Sequence, residues 1–256
     1  MVEGMCRLLG WATRRPLPLT ELLGREDLDA FTELSCTHGD GWGTARSTGT
    51  GVEVVTSPDA ARASDAFARW VSGTPTDLGM AHLRWATLGL PVRRQNTHPF
   101  TDGQVAFAHN GSIRPPSSLD GLLTPEVAAL RAGDTDSERY FLAVLARIRD
   151  GEAPAAALAG TVRDIAGSCE FSSLNALLLT ADRLLAASVP GPEADQHASG
   201  PDYFTLRYRT TDDAVVVASS GWGSGWRELG VGELLEVDRH TLEVTVTGVG
   251  EAALSR

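Results

Sequence analysis

The sequence predicts an α+β fold in which sheets and helices form separate layers. Strand-like segments stand at both ends of the chain, and the two strongest helical patterns follow each other directly between them. Strands and helices do not alternate regularly, so a wound parallel sheet is not expected. Because no change in composition marks a boundary, we expect one domain.

The first half of the chain combines short apolar runs with two amphipathic segments. Alternation of apolar and polar residues predicts strands, and apolar residues at near-helical spacing predict helices. Glycine-rich and proline-rich stretches predict the turns between them. The predicted elements are a strand at residues 5–12, a helix at 20–35, a glycine-rich turn at 38–43, a strand at 51–56, a helix at 60–72 and strands at 78–86 and 104–109.

The second half begins with the clearest helix, at residues 135–149. Its apolar side chains, from Tyr140 to Ile148, recur on one face, and Gly151 follows its end. An alanine-rich segment at 153–166 predicts a second helix directly after it. The remaining segments predict strands separated by turn residues: 174–180, 184–189, 203–210, 214–219 and 232–237.

Composition excludes several classes of function. The 256 residues carry 22 basic and 33 acidic side chains, a net charge of −11, which disfavours binding to nucleic acid or to anionic membranes. No apolar run is long enough to span a membrane, and no secretion signal is recognisable, so a cytoplasmic location is expected. The three cysteines lack metal-binding spacing, and we expect neither a metal nor a cofactor. Cys36 and Cys169 are expected to be buried apolar residues.

Two motifs in the first half contain residues that could act chemically. Cys6 follows Met5, and if translation began at Met5, removal of that methionine would give Cys6 a free α-amine able to accept the thiol proton. A small buried cysteine is the alternative. Arg84 follows an apolar strand, where a guanidinium is suited to bind a carboxylate through two hydrogen bonds. A structural ion pair is the alternative.

Two further motifs flank the middle of the chain. Asn110 and Gly111 end a strand, and their side-chain and backbone N–H groups could stabilise an oxyanion. An Asn-Gly hairpin turn is the alternative. Asp136 lies in an acidic run at the start of the clearest helix, where it could cap the helix or bind a substrate ammonium group.

Together these motifs resemble the class II glutamine amidotransferases, a family of N-terminal nucleophile hydrolases. The resemblance covers about the first 140 residues, and each motif is weak alone, but their common order is specific. The motifs are Met5-Cys6, the His-Gly-Asp-Gly-Trp-Gly run at 38–43, the Arg-Trp-Ala-Thr run at 84–87, the Asn-Thr-His-Pro-Phe run at 96–100, the His-Asn-Gly run at 109–111 and the Thr-Asp-Ser-Glu run at 135–138.

The resemblance implies a four-layer αββα sandwich of two antiparallel sheets, and a role for each matched residue. Cys6 would be the nucleophile that cleaves a γ-glutamyl amide through a thioester, and its own α-amine would be the base. The other implied roles are an oxyanion hole from Asn110 and Gly111, a clamp on the substrate α-carboxylate from Arg84, a contact to its α-ammonium from Asp136, and a pocket lined by Trp85, Thr87 and His109. His98 is expected to be structural.

Two departures from the family pattern leave the substrate open. Residues 1–5 precede Cys6, and we expect this extension to be absent or removed in the active form of a domain that spans residues 6–256. Leu88 replaces a family histidine and resembles a smaller branch, which includes the ergothioneine-pathway and glutathione-degrading γ-glutamyl hydrolases. Three hypotheses remain: a glutamine-hydrolysing subunit that passes ammonia to a separate synthase, a stand-alone hydrolase of a γ-glutamyl conjugate, and a non-catalytic relative.

Overall fold

A computed structural model describes residues 6–86, 90–194, 200–219 and 221–250. The predicted extension at residues 1–5 and the predicted pocket residue Thr87 lie outside these ranges. None of the helices that the structure describes combines the length and the apolar character that a membrane crossing requires.

Two large antiparallel sheets form the centre of the fold. The strands, in chain order, are β1 (Arg7–Leu17), β2 (Trp42–Ser47), β3 (Val52–Ser57), β4 (Thr76–Leu83), β5 (Phe100–Thr101), β6 (Ala106–Asn110), β7 (Ile113–Arg114), β8 (Glu170–Phe171), β9 (Asn175–Leu179), β10 (Arg183–Ser188), β11 (Arg207–Thr210), β12 (Ala214–Ala218), β13 (Arg227–Glu228), β14 (Glu233–Asp238) and β15 (Val244–Gly248).

The first sheet has seven strands in the order β13-β11-β12-β1-β4-β2-β3. The second has six strands in the order β15-β14-β10-β9-β6-β5, and β7 pairs with β8 in a small separate ribbon. All pairings within the two sheets are antiparallel. The central strand β1 is therefore flanked by β12 and β4, which buries it on both edges.

The two sheets pack face to face through alternate residues of their strands. Leu8 and Ala12 of β1, and Leu177 and Leu179 of β9, belong to one buried apolar cluster between the sheets. The intervening residues of β1, such as Leu9, point to the opposite face and into a different cluster. This alternation is the period-two pattern of a strand buried on both faces, and it explains the long apolar run at the start of the chain.

Helices cover the outer face of each sheet. One outer cluster joins the first sheet to the helices Leu19–Glu33 and Asp65–Gly73, and the other joins the second sheet to the helices Asp136–Arg149 and Pro154–Ser168. The α-helices are α1 (Leu19–Glu33), α2 (Asp65–Gly73), α3 (Pro125–Ala128), α4 (Asp136–Arg149) and α5 (Pro154–Ser168). Short 3₁₀ turns lie at Leu34–Cys36, Ala61–Ala63, Arg94–Asn96, Pro116–Leu122 and Pro201–Phe204. The expected four-layer αββα sandwich is confirmed.

Several strands differ from the prediction. The glycine-rich run predicted as a turn at 38–43 forms a turn up to Gly41, but Trp42 and Gly43 already belong to β2, and Gly43 is pressed against the loop that contains His98. A Cβ on Gly43 would lie 2.0 Å from the His98 carbonyl oxygen, so the glycine permits close backbone approach within a strand. The last strand, β15, was not predicted, since its Val-Thr alternation is weakly apolar and it pairs only with β14.

The hairpin alternative for the Asn-Gly pair is also wrong. The strand β6 ends at Asn110, but its partners are β5 and β9, and the chain after Gly111 leaves this sheet to form β7. The pair therefore lies where the chain turns out of a sheet, and its polar groups are not needed to close a hairpin.

Candidate active site

Cys6 and Arg84 lie next to each other at one end of the seven-stranded sheet. Cys6 precedes β1, and Arg84 follows β4. The antiparallel register that pairs Arg7 with Leu83 sets Cys6 opposite Arg84. Two residues that are 78 positions apart in the sequence are therefore brought together by a strand pairing that the buried apolar face of β1 specifies.

A hydrogen bond between the two sheets links Cys6 to Asn110. The backbone N–H of Cys6 donates to Oδ1 of Asn110 over 3.1 Å, and both residues are buried. This bond identifies the other side-chain atom of Asn110 as the amide nitrogen Nδ2, which is buried without a hydrogen-bond partner. A buried donor without a partner costs free energy, so Nδ2 of Asn110 is available to donate a hydrogen bond to a water or a ligand.

Gly111 packs closely against Ser173, in the segment that connects β8 to β9. A Cβ at this position would lie 1.9 Å from the carbonyl oxygen of Ser173 and 2.9 Å from Nε2 of His109. Because only glycine fits there, the backbone that follows Asn110 has one possible path next to Cys6.

The thiol of Cys6 is in a poor environment for a thiolate. Burial raises its pKa to about 11, and the negative charge of Asp136 acts in the same direction, while Arg84 and Arg7 oppose them. Sγ lies 3.8 Å from the backbone oxygen of Trp85, an acceptor for the S–H group. At pH 7 a thiol with this pKa is ionised in roughly one molecule in ten thousand, so attack requires a nearby base.

The guanidinium of Arg84 is buried, and few hydrogen bonds offset the cost of removing its charge from water. Its side chain is 3% exposed, and its nearest acceptor is the backbone oxygen of Asp40, 3.4 Å from Nη1. No carboxylate in the described ranges forms an ion pair with it, so the structural ion-pair alternative has no support there. The carboxylate of Asp40 instead accepts the backbone N–H of Ala86 over 2.8 Å, which fixes the turn after Arg84.

Asp136 occupies the first turn of α4 and faces the same site. Thr135 caps this helix through the N–H of Glu138, so Asp136 is not required as the cap. One oxygen, Oδ2, accepts the backbone N–H of Ile113 over 2.7 Å, which ties α4 to the segment after Gly111. The carboxylate is 6% exposed, a burial that suits an acceptor for a substrate cation.

Trp85 and His109 both lie near this site, but the side chain of His109 is fully engaged in hydrogen bonds. The ring of Trp85 is half-buried and meets His38 edge-to-face, with ring centroids 5.5 Å apart. Both imidazole nitrogens of His109 are occupied: Nε2 donates to the Ser173 oxygen and Nδ1 accepts from the Ser137 hydroxyl, each over 2.9 Å. The side chain of His109 therefore holds β6 against α4, and only its backbone is available to line a pocket.

Three residues near the thiol were not among the predicted site residues. Arg7 contacts the backbone oxygen of Cys6 over 3.4 Å and stacks on Tyr203, and Tyr203 contacts His38. His38 belongs to a motif that the sequence resemblance included, and Arg7 is adjacent to the predicted nucleophile. No sequence signal marked Tyr203, which approaches the site from a loop nearly 200 residues away.

Four histidines are buried in the neutral form around this end of the sandwich. Burial lowers the pKa of His82 to about 3 and that of His38 to about 4. It also lowers the pKa of His109, and it holds that of His98 well below the usual value. His98 stacks on His82 with centroids 4.3 Å apart, and it packs on Phe100. This position in the packed interior agrees with the structural role expected for His98.

These histidines predict a loss of stability in mild acid. Below about pH 6.5 the unfolded chain takes up protons that the buried imidazoles cannot accept, so the free energy of unfolding falls toward pH 4. Each histidine contributes a slope of up to about 1.4 kcal/mol per pH unit. Chemical denaturation between about pH 7 and pH 5 should therefore show a shallower slope for His82→Gln. An unchanged slope in His82→Gln would contradict the assignment.

The other cysteines are not buried as expected. Cys36 is exposed, because the 3₁₀ turn at Leu34–Cys36 carries it out of the α1 face, and its thiol contacts Glu33 over 3.1 Å. Cys169 is half-buried beside Ser118. Within the described ranges, no group of three or more His, Cys, Asp or Glu side chains is arranged to hold a metal ion.

Comparison with known proteins agrees with this arrangement. Residues 5–189 match the family model described as "Glutamine amidotransferases class-II". The chain is 27% identical over 261 residues to the γ-glutamyl-hercynylcysteine sulfoxide hydrolase of Mycobacterium tuberculosis, with 98% of each chain covered. It is 35% identical over 116 residues to the isomerizing glutamine–fructose-6-phosphate aminotransferase of Pseudomonas syringae, of which this match spans only 18%.

Solved structures share the same fold. A glutamine aminotransferase class-II domain protein from Silicibacter pomeroyi superimposes with a TM-score of 0.67 at 19% identity, over 95% of this chain and 99% of that one. The glutamine phosphoribosylpyrophosphate amidotransferase of Bacillus subtilis gives a TM-score of 0.64 at 15% identity, over 96% of this chain and half of that one. The family model matches more than half of the chain, and the chain therefore belongs to the class II glutamine amidotransferases.

Proposed function

We propose that the protein hydrolyses γ-glutamyl amides through a thioester on Cys6, in a form whose chain begins at Cys6. One observation carries the proposal: the backbone nitrogen of Cys6 is bound by Oδ1 of Asn110, which leaves the buried Nδ2 of Asn110 unpaired beside the thiol. A nucleophile, the nitrogen that would serve as its base and an oxyanion donor are thus grouped around one amide side chain.

Substrate binding follows from the buried charges. The unpaired guanidinium of Arg84 would take the α-carboxylate of the glutamyl group in a two-pronged contact. The carboxylate of Asp136 would accept its α-ammonium group. Arg84 and Asp136 would thus bind the α-carboxylate and the α-ammonium of the glutamyl group, and this would orient the γ-carbonyl toward Sγ of Cys6.

Acylation then proceeds with the Cys6 α-amine as the base. The amine takes the thiol proton as Sγ attacks the γ-carbonyl carbon, and the carbonyl π electrons move to oxygen. Nδ2 of Asn110 and the backbone N–H of Gly111 would stabilise this oxyanion. When the oxyanion collapses, the C–N bond breaks, and the departing nitrogen receives the proton from the Cys6 ammonium.

Deacylation uses the same groups with water as the nucleophile. The free amine of Cys6 takes a proton from water, whose oxygen attacks the thioester carbonyl. Collapse of the second tetrahedral intermediate breaks the C–S bond and returns the proton to sulfur, which releases glutamate. Burial raises the pKa of the thiol and so favours the protonated form in which each cycle ends.

The coverage of the relatives favours a stand-alone hydrolase over an ammonia-supplying subunit. The mycobacterial γ-glutamyl-hercynylcysteine sulfoxide hydrolase matches this chain over nearly the whole length of both proteins. The aminotransferase match covers less than a fifth of that larger protein. We therefore propose a γ-glutamyl conjugate as the substrate, with glutamine hydrolysis for a partner synthase as the second candidate.

Glutamate release by a chain that starts at Cys6 tests the proposal. Glutamine and a γ-glutamyl amino acid would be supplied separately, and the control is the chain from Met1, with its intact mass verified. Because the control has an amide where the base is required, we expect it to be about 10²–10⁴-fold slower, as for loss of a positioned general base. No glutamate from either substrate, or equal rates for the two chains, would contradict the proposal.

A further inference from the structure

Arg7 carries a positive charge that the proposed reaction does not use, and this charge lies beside the nucleophile. It is the first residue of β1 and follows Cys6 directly. Successive side chains of a strand point to opposite faces, so Arg7 leaves the backbone on the face away from Asn110. Its guanidinium returns toward the site, with Nη1 3.4 Å from the Cys6 oxygen and the guanidinium carbon 4.1 Å from the centre of the Tyr203 ring.

The described side chains that act most closely on Arg7 are neutral. Nδ1 of His38 lies 2.6 Å from the backbone oxygen of Leu34 and must carry the hydrogen, so Nε2 accepts from the Tyr203 hydroxyl over 3.3 Å. Burial raises the pKa of Tyr203 to about 12 and lowers that of His38 to about 4, so neither is ionised at neutral pH. The Cys6 thiol, with a pKa raised to about 11 by burial, is neutral as well.

Arg7 therefore lacks a counter-charge in the described part of the protein. None of the carboxylates there forms an ion pair with it, and its Nε is buried without a hydrogen-bond partner. Stacking on Tyr203 fixes the plane of the guanidinium and recovers part of the desolvation cost. A half-buried, oriented guanidinium without a counter-charge among the described residues is matched to a planar anion, and a carboxylate is the simplest that offers two acceptor oxygens.

The position of Arg7 indicates which part of a substrate would carry that carboxylate. Arg84, opposite Cys6 across the strand pair, is suited to the α-carboxylate of the glutamyl group. Arg7 flanks Cys6 from the other face of β1. In the substrate, the γ-carbonyl carbon carries the glutamyl chain on one side and the departing nitrogen on the other. In an α-amino acid the carboxylate is one carbon from that nitrogen, so it would lie beside the nucleophile, as Arg7 does.

We propose that Arg7, held by Tyr203 and His38, binds the carboxylate of the departing amine, so that the preferred substrates are γ-glutamyl derivatives of α-amino acids. This inference rests on the function proposed above. Glutamine, whose departing group is ammonia, and γ-glutamyl alkylamines would leave the Arg7 charge unpaired. Discrimination would then be made on the departing group, while Arg84 and Asp136 recognise the part common to all substrates.

A matched pair of substrates tests this assignment. γ-Glutamylalanine and γ-glutamylethylamide differ only by the carboxylate on the departing group, and kcat/KM for glutamate release would be measured with the chain that starts at Cys6. We expect γ-glutamylalanine to be preferred by about 10- to 100-fold, the range for a charge-assisted two-pronged contact. In Arg7→Met this ratio should fall to about one.

Two further variants separate the role of Arg7 from general damage. Arg84→Met should lower kcat/KM for both substrates by a similar factor and keep their ratio, because both contain the glutamyl α-carboxylate. The exposed Arg25→Met should keep both the rates and the ratio. If Arg7→Met is poorly folded, the ratio for the wild-type protein still decides the question.

The outcomes distinguish this inference from the proposed function. Equal kcat/KM for the two substrates in the wild type would overturn the role of Arg7 while leaving γ-glutamyl hydrolysis intact. A loss in Arg7→Met that is equal for both substrates would also overturn it, since Arg7 would then act on the thiol. Release of glutamate from neither substrate, nor from glutamine, would overturn the proposed function itself.

Discussion

Replacing Cys6 by alanine is expected to abolish glutamate release from every γ-glutamyl substrate. The substitution removes the sulfur that would form the thioester, and the thiols of Cys36 and Cys169 contact Glu33 and Ser118 instead. A loss of about 10⁴-fold or more is expected, as for removal of a covalent nucleophile. Because the side chain is small and its backbone N–H would keep the bond to Asn110, the thermal midpoint should change little.

The matched controls are the other two cysteines. Cys36 is exposed and Cys169 is half-buried on the far side of the second sheet, packed against its outer cluster. Alanine at either position should leave glutamate release near that of the wild type. Substantial activity in Cys6→Ala, or a comparable loss in Cys36→Ala, would show that the thioester forms elsewhere or not at all.

The second large effect is expected from Asn110→Asp. The carboxylate keeps an oxygen for the backbone nitrogen of Cys6, but it replaces the unpaired Nδ2 donor with a second acceptor. An oxyanion facing it would lose a hydrogen bond and meet a like charge. We expect kcat to fall by about 10²–10³-fold or more, with a much smaller change in KM, because the lost interaction forms in the transition state.

The split between kcat and KM is the informative readout for Asn110. If Asn110 only positioned Cys6, Asn110→Asp would retain most of kcat because the acceptor oxygen is preserved, whereas Asn110→Ala would lose it. If Asn110 donates to the oxyanion, both variants should lose kcat to a similar extent. A kcat for Asn110→Asp within about threefold of the wild type would contradict the oxyanion role.

The sheets could be predicted from the sequence because their residues face apolar clusters on both sides. The alternation in β1, with Leu8 directed between the sheets and Leu9 directed outward, gives a continuous apolar run that is recognisable without a structure. The first two residues of the strand at Trp42–Ser47 were predicted as part of a turn, since Gly43 is required by the His98 loop and not by a local bend. Contacts between distant segments of this kind leave no local pattern.

The residues of the site were predictable mainly through motifs that act at element ends. The candidate residues lie at the end of a strand or helix or directly next to one, and the fold brings these ends together at one edge of the sandwich: Cys6, Arg84, Asn110 and Asp136. The residues proposed to contact the departing group could not be predicted from the sequence. Arg7 and His38 were adjacent to recognised residues, but their relation to Tyr203 depends on a loop whose position follows from long-range packing.

The most direct test of a nucleophilic Cys6 is covalent labelling with a glutamine analogue that carries a diazoketone in place of the amide. The chain that starts at Cys6 would be incubated with the analogue, and its intact mass, peptide map and remaining activity would be followed together. We expect one label on Sγ of Cys6, activity lost in proportion to labelling, and protection by glutamate. Complete inactivation with the label on Cys36, Cys169 or another residue, or full activity with Cys6 labelled, would contradict a thioester mechanism at Cys6.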